Sequence, residues 1–265
     1  MRWVLLPLLL IALLAPPQGC PRQLLIQAGG QTVVPPAPPG TPGAWLGTDV
    51  DGRDTACLVA RGVRQSLQVA LNVLLLALPV ALLLGLLLGW RGLTVGLYAE
   101  IFVLAGLILL LGNGAYTWVL ALGLAVYLAR LVAVRVRTVL LEPFIEGARA
   151  MGGSSWHILT RHVLPHLFPV LPSAMAVGIG VAFLWMAELA VLGYFATTGY
   201  WVEFGSGFEN VPMRRFMPLN PDLAQMIATA RFEWLAAAEQ LFLPALAFVL
   251  LTLGFADLGA KLTRK

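Results

Sequence analysis

Long uncharged runs alternate with polar segments along this chain, and the runs have the length of membrane spans. No Asp, Glu, Lys or Arg occurs from Ser66 to Trp90, from Val163 to Ala187 or from Gln240 to Ala256. A helix needs about 20 apolar residues to cross the hydrocarbon core of a bilayer. Each of these runs therefore predicts one membrane-spanning helix.

A fourth uncharged run, between Glu100 and Arg130, is too long for a single span and is interrupted by Gly112-Asn113-Gly114. Glycine favours a tight turn at such a point. The pattern predicts a hairpin of two helices, over Leu93–Leu111 and Tyr116–Val134. At 1.5 Å per residue each helix is about 28 Å long, which is just enough to span the hydrocarbon core.

The apolar segment at the N-terminus, Trp3–Ala15, is short, follows Arg2 and contains Pro7. It is interpreted as an uncleaved first helix that is tilted or locally thins the bilayer. The alternative is a signal peptide of the lipoprotein type, with Cys20 acylated. Both interpretations place residue 21 on the outer side.

The composition agrees with a membrane protein and excludes several other classes. Hydrophobic residues make up 59% of the chain and charged residues only 11%, whereas soluble domains carry about 25% charged residues. A soluble fold, a disordered chain and a secreted disulfide scaffold are excluded. The net charge of +4 is explained by basic cytoplasmic loops without invoking nucleic acid. We therefore predict an all-α integral membrane protein with about six transmembrane helices, or five if the N-terminal segment is cleaved.

The positions of the basic residues predict the orientation of these spans. Arginines cluster between Arg130 and Arg161, and the chain ends in a basic tail, and such clusters favour the cytoplasmic side. Both termini are then cytoplasmic if the first helix is uncleaved.

The spans and their orientation together predict how the chain is organised. Residues 1–15 form the first helix or signal segment, and residues 16–65 form an external Pro/Gly-rich tether with a Gly-Thr-Asp segment. Residues 66–260 form the transmembrane domain, with a cytoplasmic loop at 135–165 and an external loop at 195–237, and residues 261–265 form the tail.

The cytoplasmic loop carries the most informative pattern of the chain. Phe144, Ala148 and Met151 recur at helical spacing and predict one face of a short amphipathic helix. Gly152-Gly153 ends that helix, and Ser154 or Ser155 can cap a second one. A helix resting on lipid headgroups and a helix inserted in a groove of a protein partner both fit this pattern.

Three blocks of the chain resemble the permeases of ATP-binding-cassette importers, in particular their dipeptide/oligopeptide/nickel branch. The cytoplasmic loop resembles the EAA signature, with Glu146-Gly147-Ala148, then Gly152, then Leu164-Pro165. The segment Leu46–Asp54 resembles the Leu-Gly-Thr-Asp-x-x-Gly-Arg-Asp block of that branch, and Leu243–Gly259 resembles its last span. The blocks lie in the family's order between about residues 44 and 260.

The resemblance implies a type I importer permease that is not itself an enzyme. The implied partners are a second permease in a heterodimer, two cytoplasmic ATPase subunits and an external substrate-binding protein, in a bacterial-type inner membrane. It implies that no cofactor is bound by this chain, that ATP is used by the partner ATPases, and that the solute is a peptide or a related small molecule. The residues implied to couple to the ATPase are Phe144, Glu146, Gly147, Ala148, Arg149, Ala150, Met151, Gly152, Leu164 and Pro165, and the external family motif comprises Gly47, Thr48, Asp49, Gly52, Arg53 and Asp54. The alternative is a non-transporting membrane scaffold or assembly protein on the same fold.

The chain's three histidines, at 157, 162 and 166, all lie near the cytoplasmic loop. The spacing of His162 and His166 suits zinc, but Pro165 lies between them and no further ligand is close in sequence. We interpret the three as interfacial histidines at a helix entry.

The external motif allows two interpretations. The alternation from Asp49 to Asp54 is similar to a calcium loop, but no Glu follows at the twelfth position. A tight turn in which Asp54 caps the following helix is the preferred interpretation.

Three further features remain as hypotheses. Glu188 is an acidic residue in or at the outer end of the fifth span, where it either shapes the pathway or gate or lies at the interface. Gly85 and Gly89 form a small-residue pair that predicts close helix packing. Cys20 and Cys57 lie on the predicted outer side, where they either pair or leave Cys20 acylated.

Overall fold

A computed structural model of the chain describes residues 2–16, 19–21, 26–28, 31–49, 51–93, 100–196, 199–204, 213–218, 221–230 and 238–263. This part of the chain is mainly helical. Its helices are α1 (Arg2–Leu14), α2 (Thr55–Arg91), α3 (Glu100–Leu111), α4 (Tyr116–Leu140), α5 (Pro143–Ala150), α6 (Ser155–Ile158), α7 (Leu164–Leu167), α8 (Leu171–Val191), α9 (Leu223–Ala230) and α10 (Glu239–Leu262). A 3₁₀ turn lies at Asn113–Ala115 and a π-helical turn at Leu159–Val163.

Within the described residues, four helices are long and apolar enough to cross a membrane: α2, α4, α8 and α10. The prediction of a helical membrane protein is confirmed. The apolar helices α1 and α3 are shorter, with 13 and 12 residues. Residues 94–99, which belong to the predicted span Leu93–Leu111, lie outside the described part of the chain.

Several helices extend beyond the spans predicted from uncharged runs. The helix α2 has 37 residues, about 55 Å, and begins well before Ser66. The helix α4 continues to Leu140 rather than ending at Val134, so the loop predicted at 135–165 begins at Leu141. Arginines continue a helix as readily as leucines do, and the charge pattern therefore predicts the membrane segment rather than the ends of the helix.

Packing divides the chain into two compact units, Met1–Leu5 with Ala70–Trp185 and Leu251–Lys265, and Leu6–Val69 with Met186–Leu250. In the first unit, α2 crosses α4 at the predicted small-residue pair. A Cβ atom at Gly85 would lie 2.6 Å from Cβ of Val132, and one at Gly89 would lie 2.7 Å from Cβ of Val136. Glycine lets the two backbones approach closely, and the predicted role of this pair in helix packing is confirmed.

The second unit contains two antiparallel hairpins, β1 (Ile26–Ala28) with β2 (Gln31–Val33), and β3 (Gly199–Phe204) with β4 (Met213–Pro218). Neither hairpin was predicted from the sequence. The second lies in the external loop that was predicted at 195–237, where α9 follows it with nearly all its side chains buried. Cys20 and Cys57 form a disulfide in this unit, which excludes acylation of Cys20 in this state.

The segment predicted as an extended tether is folded over residues 35–49 and 51–54. We call these residues the outer platform, after the outer side predicted for them. Ala37 and Ala44 are 1% and 2% exposed, and backbone hydrogen bonds join Thr48 N to the Ala37 oxygen and Ala44 N to the Thr41 oxygen. Proline and glycine here form successive tight turns rather than a flexible spacer, because backbone hydrogen bonds join the turns to one another.

Candidate functional site: the coupling segment and the outer platform

The predicted coupling segment folds as a helix, a bend and a second helix. Pro143 occupies the first turn of α5, where its missing N–H leaves no hydrogen bond unmade. At the other end Gly152 has a φ of +83°, a conformation that suits glycine. The Gly153 N–H then donates to the Ala148 oxygen over 2.9 Å. Ser154 caps α6, its hydroxyl accepting from the His157 N–H at 3.3 Å.

The buried face of α5 differs from the predicted one. Phe144 and Met151 were expected on the apolar face with Ala148, but they are 42% and 85% exposed. The buried side chains are Ile145 and Ala148, at 0% and 7% exposure. Ile145 and Ala148 are three residues apart, a spacing that fits one face of a helix just as well as the predicted spacing does. The packing of neighbouring helices, which spacing cannot predict, decides which face is buried.

Ile145 belongs to a buried apolar cluster that the helical spacing did not predict. The cluster joins α5 to the end of α4 and to the segment from α6 to α7, and its other members are Val132, Val136, Val139, Ile158, Val163 and Leu167. Every member is at most 6% exposed. Ile145 therefore anchors the short helix α5 in the first unit.

The opposite face of α5 is exposed and polar. Glu146, Gly147, Arg149 and Ala150 are all exposed, and a Cβ at Gly147 would meet nothing within 4 Å. Glu146 lies in the first turn and Arg149 in the last, which are the favourable ends of the helix dipole for their charges. The small residues leave room for close approach of a second surface.

A wide turn leads from the coupling segment into α8. The helix relaxes to a π-helical turn at Leu159–Val163, and the Leu164 N–H donates to the Leu159 oxygen. Pro165, which is exposed, follows and removes one backbone donor. The imidazole of His166 makes a further bond at this turn: its Nδ1 lies 2.6 Å from the His162 carbonyl oxygen, to which it donates.

An aromatic stack links α5 to this turn. The ring of Phe144 lies 5.5 Å from the ring of His166 and 5.8 Å from that of His162, measured between centroids. His157 meets His162 edge-on at 5.9 Å. Among the described residues there is no group of three His, Cys, Asp or Glu side chains that could hold a metal ion. His162 and His166 therefore pack against Phe144 of α5, and His157 packs against His162.

The external motif forms the end of the outer platform that leads into α2. One oxygen of Asp49 accepts from the N–H groups of Asp51 and Arg53 at 3.0 and 2.7 Å, and the other accepts from Nε of Arg53 at 2.8 Å. Asp54 caps α2 by accepting from the Cys57 N–H at 3.2 Å. Gly52 supplies a φ of +73°. The structure therefore has the predicted tight turn and helix cap.

Thr48 and Gly47 lie at the centre of the outer platform. The Thr48 hydroxyl is buried and accepts from the Ala37 N–H at 2.8 Å. Gly47 has a φ of +79°, and a Cβ there would lie 2.7 Å from the Ala37 oxygen. The Gly-Thr-Asp sequence is thus explained by close backbone approach and by hydrogen bonding within the turn.

Glu188 lies near the end of α8 on the exposed side of the helix. Val191 and Leu192, three and four residues further on, are 62% and 54% exposed, whereas Leu189 and Ala190 are fully buried. The carboxylate therefore shares a face with exposed apolar side chains. A charged group at membrane depth is costly against lipid, and this face suits contact with a partner or with an aqueous path.

The chain has relatives of known role along most of its length. It is 32% identical over 228 residues to the glutathione transport system permease protein GsiD of Shigella flexneri serotype 5b (strain 8401), a match that covers 81% of this chain and 69% of the relative. The proteins of the same name from Pectobacterium atrosepticum and from Escherichia coli O1:K1 are 28% and 29% identical with the same coverage. A search against models of known protein families finds no match.

Proposed function

Because this chain belongs to the inner-membrane permeases of ATP-binding-cassette importers, in the dipeptide/oligopeptide/nickel branch, we propose that it imports glutathione or short peptides of similar size. Its relatives are transport permeases, and this chain is a permease subunit. It works with a second permease, two cytoplasmic ATPase subunits and an external binding protein. In the proposed role, ATP is bound and hydrolysed by the partner subunits, and this sequence has no Gly-x-x-x-x-Gly-Lys-Ser/Thr phosphate-binding loop of its own.

The observation that carries this proposal is the geometry of α5. The helix is anchored on one side by Ile145 and Ala148 and presents Glu146 and Arg149 on the other. In the proposed role, this exposed face inserts in a groove of the ATPase, where the two charged side chains make polar contacts. Gly147 and Ala150 allow the ATPase surface to approach the helix closely.

The buried cluster around Ile145 explains how α5 passes on movement. Val132, Val136 and Val139 of α4 belong to the same cluster, as do Ile158 and Val163 on the way to α8. A close-packed apolar cluster transmits displacement because it has no space to absorb it. When the ATPases close on ATP, α5 moves with them and carries α4 and the wide turn, which switches the pathway between its outward and inward forms.

The disulfide supports the proposed orientation. Cys20 and Cys57 are joined, and such bonds persist in oxidising compartments and are rare in the cytosol. In the proposed orientation, the outer platform lies on the outer side of the membrane, and α5, the basic tail and both termini lie on the inner side. Glu188, near the opposite end of α8 from the wide turn, contributes to the gate or to the pathway.

Charge reversal on α5 tests the proposed function. The importer is purified with its partners, reconstituted in proteoliposomes and assayed for ATP hydrolysis and for uptake of labelled glutathione. Glu146→Lys is expected to lower uptake at least tenfold, with the ATPase subunits either lost on purification or active without transport. Arg135→Glu, a charge change of the same size at an exposed position of α4, is the control and should transport normally.

Two results of this assay would contradict the proposed function. Normal uptake by Glu146→Lys would overturn the coupling role of α5. An assembled wild-type complex that neither hydrolyses ATP on addition of binding protein nor transports any of a panel of di- and tripeptides would instead indicate a scaffold.

A further inference from the structure

A cavity of about 620 Å³ opens between the C-terminal ends of α2 and α4, within the first unit. One wall is a stripe of α4 on which lining residues recur at helical spacing: Arg130, Ala133, Arg137 and Leu141. The facing wall is the last turn of α2 and the residues that follow it: Leu88, Gly89, Gly92 and Leu93. The volume is within the range of about 300–1,000 Å³ that is usual for small-molecule sites, which are mostly apolar with a few polar groups.

The cavity lies at the level where the hydrocarbon core of the membrane ends. The uncharged run of α2 ends at Trp90, and Gly89 and Gly92 line the cavity on either side of that point. Gly89 packs against Val136 of α4, since an added Cβ would lie 2.7 Å from the valine Cβ. Arg137, the next residue of α4, is therefore level with the end of the run. Lipid headgroups surround the protein at this level.

The charge of the cavity indicates an anionic ligand. Its charged lining residues are Arg130, Arg137 and Glu142, a net charge of +1. Arg137 is exposed, and a guanidinium binds phosphate oxygens through two parallel hydrogen bonds. Arg130 lies two turns or about 10 Å deeper along α4, and its long side chain can extend toward the headgroup level. Basic pockets between membrane helices on the cytoplasmic side bind the headgroups of anionic lipids.

The positions of the apolar lining residues indicate that the anion carries a hydrocarbon chain. From Arg137 toward the membrane the cavity is lined by Leu88 and Ala133, and from Arg137 toward the water it is lined by Glu142. A phosphate on Arg137 would therefore direct an attached acyl chain along the two apolar residues and into the bilayer, where burying apolar surface is favourable. A soluble anion would leave these side chains uncovered. The four long apolar helices place the chain in a bilayer, which supplies lipid at this level.

We propose that this cavity is a binding site for an anionic phospholipid, whose phosphate binds Arg137 and whose acyl chain starts along Leu88 and Ala133. The proposal rests on the proposed function only for the choice of leaflet, which the proposed orientation makes the inner one. The cavity ends at Leu141 and Glu142, the two residues between α4 and α5. The bound lipid therefore contacts the segment that leads into the coupling helix.

The test uses the full chain, purified with the subunits that accompany it, in phosphatidylcholine nanodiscs that contain a trace of photoactivatable phosphatidylglycerol. Crosslinks are mapped by peptide mass spectrometry, and unlabelled lipids are added as competitors. We expect crosslinks to the ends of α2 and α4 that phosphatidylglycerol suppresses and additional phosphatidylcholine does not.

Three substitutions separate this site from general attraction to a basic surface. Arg137→Gln should weaken competition by phosphatidylglycerol about fivefold, the effect of one basic side chain near an anionic surface, and Arg137→Lys should weaken it less. Glu142→Gln should strengthen it about fivefold, because it removes the only acid that lines the cavity; this side chain makes no capping hydrogen bond to α5. Arg135→Gln, also at an exposed position of α4 but outside the lining, is the control and should bind as the wild type does.

Four results would overturn the lipid site. Equal competition by phosphatidylcholine, or equal effects of Arg137→Gln and Arg135→Gln, would indicate ordinary boundary lipid. Equal competition by glycerol phosphate, which has no acyl chain, would assign the cavity to a soluble anion, and competition by glutathione would assign it to the transport pathway. Crosslinks that appear only after a second permease subunit is removed would assign it to the interface with that subunit. None of these measurements requires transport, so the lipid site can fail while the proposed function stands.

Discussion

The outer platform and α5 are both short segments that lie beside long helices, but they are held in opposite ways. The outer platform is fixed by its own backbone, with turns closed on one another and an arginine between two carboxylates. By contrast, α5 has two buried side chains among its eight residues. A segment fixed by many internal bonds keeps its shape when a partner binds, whereas a segment held mainly by one apolar face can move as a unit with its partner.

The disulfide gives the largest expected effect and tests whether the outer side depends on covalent closure. Cys20 and Cys57 are 37 residues apart, and closing a loop of that length stabilises the folded state by up to about 4 kcal/mol in the chain-entropy model. We expect Cys20→Ser/Cys57→Ser to unfold at a clearly lower temperature and to lose its response to reductant. Thermal melting of the purified protein with and without dithiothreitol measures this. Equal melting of both proteins in oxidising buffer would show that hydrogen bonds alone fix the outer side.

Removing the anchor of α5 is expected to have an effect of comparable size. Ile145→Ala leaves a cavity in the cluster that it shares with α4, and such substitutions cost about 2–5 kcal/mol. We expect lower thermal stability together with loss of uptake, because α5 no longer moves with the cluster. Val134→Ala is the control, since Val134 lies on α4, is 63% exposed and is not among the residues implied to couple to the ATPase. If Ile145→Ala transported normally, a different contact would have to connect α5 to the rest of the permease.

The same contrast explains how much the sequence could predict. A helix cap at Ser154 or Ser155, the bend at Gly152 and the cap at Asp54 were all predicted, because each depends on neighbours within a few residues. The burial of Ile145 rather than Phe144 was not predicted, since both fit a helical period and the choice is made by α4 and by the segment after α6. The closed turns of the outer platform depend on contacts such as the one between Ala37 and Thr48, and composition alone suggested a tether.

Two glycines of the outer platform form a matched pair for testing its rigidity. Both have positive φ, +87° at Gly40 and +79° at Gly47, but a Cβ at Gly40 meets nothing within 4 Å, whereas one at Gly47 lies 2.7 Å from the Ala37 oxygen. Alanine at either position costs about 1–2 kcal/mol in backbone strain. We expect Gly47→Ala to cost about 1–3 kcal/mol more, from the clash. Thermal melting of the two variants gives this difference. Equal melting temperatures would mean that the backbone of the outer platform shifts at little cost to relieve the clash with the Ala37 oxygen.

The smallest effect is expected at the aromatic stack of the coupling segment. Phe144→Leu keeps an apolar side chain but removes the ring that faces His162 and His166, and aromatic pairs contribute about 0.5–1.5 kcal/mol beyond their buried area. The free energy of unfolding should fall by about that amount, a small shift in melting temperature. Transport should respond differently, because the stack is a second connection between α5 and the turn that leads into α8. We expect more ATP hydrolysed per glutathione imported, with binding of the ATPase subunits retained. His157→Ala, which leaves both contacts of Phe144 in place, should keep the wild-type ratio. If Phe144→Leu also kept that ratio, Ile145 and its cluster would be sufficient to carry the movement, and the contrast with the multiply bonded outer platform would be sharper still.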